Sequence, residues 1–78
     1  MKVTKIWFDI DNMYVLTADG NILSQSLRYY PRLKKAAETD RQQYFVSTIG
    51  IHWRNLDVDV SFESFGYNTT QPKLMYVG

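Results

Sequence analysis

The side chains best suited to chemistry gather in one short stretch. From Gly50 to Phe65 the chain carries its single histidine, His52, then Trp53, and then Asp57, Asp59 and Glu63. A histidine with three carboxylates is the raw material of a metal site or an acid–base pair, since imidazole titrates near neutrality and both groups ligate divalent ions. Zinc asks for about four ligands grouped around a point. One nitrogen ligand and a row of acids projecting from a strand do not supply that, so no metal site is assigned and His52 is read as a hydrogen-bonded structural residue. Asp9 and Asp11 stand around a turn, where aspartates ordinarily serve the backbone. Nucleophilic catalysis finds little support, because there is no cysteine and no serine in a Gly-x-Ser-x-Gly setting. Gly20, Gly50, Gly66 and Gly78 are scattered, so neither a phosphate loop nor a dinucleotide fingerprint can be written on the chain. No catalytic residue and no cofactor are assigned, and the chain reads as non-enzymatic.

The element that positions these groups is legible in their alternation. Leu56, Val58, Val60 and Phe62 interleave with Asp57, Asp59, Ser61 and Glu63, which predicts a half-buried strand with four apolar side chains on one face. Three carboxylates in one stripe repel each other unless solvated or met by a partner. His52, Trp53, Asp57, Asp59 and Glu63 are therefore the candidates for contact with another protein. A second set, Arg28, Tyr29, Tyr30, Arg32, Lys34, Lys35 and Arg41, joins cations to aromatic rings as a nucleic-acid surface does, with a solvated helix face as the plainer reading.

Ahead of that stretch, Lys2 to Ile10 reads as a strand with Ile6, Phe8 and Ile10 on one face and Trp7 on the other. Asp11-Asn12 supplies turn chemistry, Met13 to Thr17 a second strand, Ala18-Asp19-Gly20-Asn21 a second turn, and Asn21 to Leu27 a third strand. Tyr30-Pro31 opens a helix over 31–38, on which Leu33, Ala36 and Ala37 fall at i, i+3 and i+4. Tyr44 to Ser47 is β-rich, Thr48 to Gly50 a bend and Ile51 to Trp53 a strand. A short closing helix is expected around 61–66.

With 78 residues the chain makes one domain, in which only about 60% of the unfolded surface can be buried. The apolar fraction of 45% and aromatic fraction of 15% are enough for a core. Without cysteines no disulfide staples it, which fits a reducing compartment. A net charge of +1 is low for a protein that binds nucleic acid by charge alone. No apolar run approaches a membrane span, and the amino-terminal stretch lacks the apolar region of a signal peptide, so a cytoplasmic location is expected.

The run Arg41, Tyr44, Gly50-Ile-His-Trp, Leu-Asp-Val-Asp-Val-Ser and Phe65 resembles the signature of a small bacterial family, domain of unknown function 2442. Many members carry a second acidic residue where this chain has Val58, a departure that counts against an acidic metal site. The resemblance implies a compact α+β domain with no established activity. Some members are encoded beside small proteins suspected of forming toxin and antitoxin pairs, which implies an antitoxin-like role. Together these readings predict a single α+β domain over 1–67 and a loose tail over 68–78. Its small antiparallel sheet, the front meander plus further strands around 44–60, is covered by one main helix around 31–38. Its partner is expected to be another small protein, with nucleic acid through Arg28 to Arg41 as the alternative and no membrane.

Overall fold

The computed structural model describes residues 2–65, and over them the chain is an α+β fold. The front meander forms as expected. Strand β1 (Val3–Phe8) pairs antiparallel with β2 (Asn12–Thr17), which pairs with β3 (Ile22–Ser26). The first turn begins earlier than Asp11. One carboxylate oxygen of Asp9 accepts the backbone N–H groups of Asp11 (2.9 Å) and Asn12 (2.7 Å), so β1 stops at Phe8 and Ile10 sits exposed at the turn instead of sharing a face with Ile6. At the second turn Gly20 adopts φ +92°, a conformation that favours glycine.

The helix expected over 31–38 is two short ones. Helix α1 covers Pro31–Lys34 and α2 covers Glu38–Arg41, with Ala37 extended between them (φ −68°, ψ 157°). The break has a specific cause. In a continuous helix the carbonyls of Leu33 and Lys34 would accept the N–H groups of residues 37 and 38. Here Arg41 reaches both, with Nε 3.1 Å from the Leu33 oxygen, which also accepts the Ala36 N–H at 3.3 Å, and an Nη 2.9 Å from that of Lys34. Of the expected apolar stripe only Leu33 is fully buried; Ala37 is exposed.

The later strands do not extend the meander but form a second three-stranded antiparallel sheet: β4 (Phe45–Val46), β5 (Gly50–Trp53) and β6 (Val58–Ser61). Gly50 is needed here because a Cβ would overlap the Val60 carbonyl of the neighbouring strand. The strand predicted from Leu56 to Phe62 is confined to β6, where Val58 and Val60 are buried and Asp59 and Ser61 exposed, but the alternation itself carries through, with Leu56 and Phe62 packed against the core and Asp57 and Glu63 exposed. Leu56 lies in a 3₁₀ turn (Arg54–Leu56) that ends on Asp57 in the left-handed region (φ 54°). The closing helix is a 3₁₀ segment, Phe62–Phe65, and the tail expected over 68–78 lies outside the described residues.

Side chains join the two sheets. Ile6, Met13 and Val15 of the first meet Ile51, Trp53, Val58 and Val60 of the second, with Leu27, Leu33 and Phe65 closing the core. Trp53 is 1% exposed, meets Phe8 edge-on and donates its indole N–H to the Arg41 carbonyl (3.0 Å). Gln25 ties β3 to the closing turn through the Ser64 carbonyl (2.9 Å). Among the described residues no helix is long and apolar enough to cross a membrane.

Candidate functional site

The pairing register of the second sheet sets Phe45, His52 and Asp59 side by side on its outer face, one from each strand. The turn from Ser47 to Gly50 fixes that register: the Ser47 N–H bonds the Gly50 carbonyl (2.8 Å), while Ser47 Oγ accepts the N–H groups of Ile49 (3.2 Å) and Gly50 (3.3 Å). His52 is held from three sides. Its Nδ1 lies 2.7 Å from Asp59 Oδ1, its Nε2 lies 2.6 Å from Ser47 Oγ, and the Phe45 ring stacks on it at 4.7 Å. Arg54 in turn lies over Phe45, 4.9 Å from the ring centroid. The imidazole is thus mostly enclosed (side chain 16% exposed), whereas the Asp59 side chain is 76% exposed.

Only part of the predicted stripe is brought together. Asp57, turned aside by its left-handed backbone, faces Arg32 across 3.4 Å. Glu63 lies in the closing 3₁₀ turn beyond the end of β6. Trp53 supports the surface from below. Among the described residues no group of three or more histidine or acidic side chains is placed to hold a metal ion.

The basic segment is largely engaged with the protein itself. Arg32 pairs with Asp57, and Lys34 lies 3.9 Å from Asp11. Arg41 caps α1 and covers Phe8 at 4.7 Å. Tyr30 is half-buried, its hydroxyl 3.5 Å from Ser64 Oγ, while Arg28 lies 5.9 Å from the exposed Tyr29 ring. Lys35 is exposed. A groove of about 270 Å³ runs between Tyr29, Arg32, Asp57 and Asp59, so members of both candidate sets share one surface.

Two features escaped the sequence reading. Ser47 had no motif to mark it; the one local signal was a serine three residues before a glycine at a strand bend. On the outer face of the first sheet, Trp7 and Tyr14 stack at 5.4 Å, with the Lys5 ammonium 5.3 Å from the Trp7 ring. The Tyr14 hydroxyl donates to Asp9 at 2.5 Å. That bond, with the Asp11 N–H, holds the Asp9 carboxyl below its ordinary range, and the carboxylate in turn pushes the Tyr14 phenol up.

The family model described as "Protein of unknown function (DUF2442)" matches residues 3–68. No curated protein and no solved structure matches the chain.

Proposed function

We propose, from the premise that the chain belongs to the DUF2442 family and that this membership carries no activity with it, that it is a non-enzymatic cytoplasmic binding module whose partner is another small protein. The observation that carries the reading is the open edge of the second sheet. Among the described residues strand β4 pairs on one side only, and its surroundings expose Phe45 (43%), Val46 (40%) and Ile49 (69%) within five residues. The edge is short, two residues, but a strand edge with exposed apolar side chains beside it can take an added strand, in which main-chain hydrogen bonds give affinity and alternate side chains give specificity. The basic segment favours nucleic acid less, because Arg41 is bonded to the Leu33 and Lys34 carbonyls and the exposed Arg32 and Lys34 each have an acid, Asp57 and Asp11, beside them.

An antitoxin-like role follows if the partner is encoded next door. Co-expression with the product of the adjacent gene is expected to yield a stoichiometric complex that Ile49→Asp disrupts. Absence of that complex, together with submicromolar binding to random oligonucleotides at physiological salt that weakens steeply as salt rises, would replace this reading with nucleic-acid binding.

A further inference from the structure

Beyond partner binding, we infer that Ser47 is an activated hydroxyl that accepts the acyl group of an activated ester through a Ser47–His52–Asp59 relay. Three observations meet at this residue. The first is the chain of short contacts, Oγ to Nε2 at 2.6 Å and Nδ1 to Oδ1 at 2.7 Å. The second concerns where the protons sit. Ser47 Oγ accepts two backbone N–H groups, so its own hydrogen points away from them; the Gly50 carbonyl at 3.4 Å is the poorer acceptor and Nε2 the better. Imidazole that accepts at Nε2 carries its proton on Nδ1 and donates it to Asp59. This is the tautomer in which a histidine can take a serine proton while a carboxylate steadies the imidazolium that forms. The amides of Ile49 and Gly50 fix the hydroxyl's orientation; they bond Oγ itself and not the carbonyl oxygen on which negative charge would develop. The third is space: Ser47 lines a groove of about 490 Å³ whose walls include Lys2, Val3, Val46 and Thr48.

In the step itself one of the two long backbone contacts to Ser47 Oγ opens to free a lone pair, and Oγ bonds to the ester's carbonyl carbon as its proton passes to His52 Nε2. The bond from that carbon to the aryl oxygen then breaks, and the proton departs with the phenol. An acyl-serine and a free phenol result, with no oxidant or further reactant. His52 is the proton acceptor and Asp59, 76% exposed, a positioning residue.

The probe is p-nitrophenyl acetate, with acetylation mapped by peptide mass spectrometry and Ser61 and Ser64 of the same chain as internal controls. Ser47 is expected to be acetylated at least about a hundredfold faster than either, the low end of what a positioned base contributes. His52→Gln and Asp59→Asn should each slow Ser47 without changing the lysine acetylation rate, in variants whose tryptophan fluorescence shows the native fold. Acetylation of Ser47 no faster than of Ser61, or a rate indifferent to His52→Gln, overturns the inference. Phenol release beyond one equivalent that depends on Ser47 supports it and also overturns the non-enzymatic reading.

Discussion

The Asp9–Tyr14 pair shows how much a single contact can report at the scale of one residue. The Tyr14 hydroxyl and the Asp11 N–H lower the Asp9 pKa, while the Asp9 carboxylate and partial burial raise that of Tyr14. The signs follow from linkage. A depressed carboxyl contributes stability above its unfolded pKa and loses it as pH falls through the folded value; a raised phenol contributes below its unfolded pKa and loses it as pH rises through the folded one. Spectrophotometric titration should therefore find one tyrosine with a midpoint above the ordinary value of about 10, moved back toward it by Asp9→Asn. If Asp9→Asn leaves every tyrosine midpoint where it was, the contact does not exist in solution.

Among the elements, the broken helix is the informative one. Arg41 substitutes its guanidinium for two missing backbone donors and lays the rest of that group over Phe8, so one side chain ends α1, packs the first sheet and, through its carbonyl, anchors Trp53. Arg41→Leu keeps apolar bulk but leaves the Leu33 and Lys34 carbonyls without that donor. A loss of about 1.5 to 3 kcal/mol is expected, the range for hydrogen bonds to charged groups, measurable as a lowered denaturation midpoint. A midpoint unchanged within error would mean that α1 ends for reasons local to 31–37.

For the molecule as a whole, the question is whether the two sheets stand or fall together. Their shared core is small, and Trp53 is the largest side chain buried in it. Trp53→Ala should cost roughly 3 to 5 kcal/mol through lost burial and a residual cavity. The remaining tryptophan, Trp7, lies on the far face of the other sheet and reports on it. A Trp7 fluorescence transition that shifts with the Trp53→Ala destabilisation marks one cooperative unit; one that stays put while the second sheet melts would show two independent halves.

What the sequence determined by itself was local. The meander follows from period-two alternation and from turns whose side chains bond the backbone two or three residues away, and β6 is visible in Val58 and Val60 for the same reason. The family signature was legible too, since its residues fall at fixed spacings within the short stretch from Arg41 to Phe65. Tertiary structure decided the rest. No window of sequence shows that Arg41 will reach back seven and eight residues to stop a helix, because its competitor there is ordinary helix propensity. Nor does one show that the later strands will close on themselves as a second sheet. The Ser47–His52–Asp59 relay depends on which residues of β4, β5 and β6 stand opposite one another, and a one-residue slip would turn every side chain of a strand to the other face. That register is held by the Ser47 turn on one side and the left-handed Asp57 on the other, so the candidate site exists only once both connections have formed.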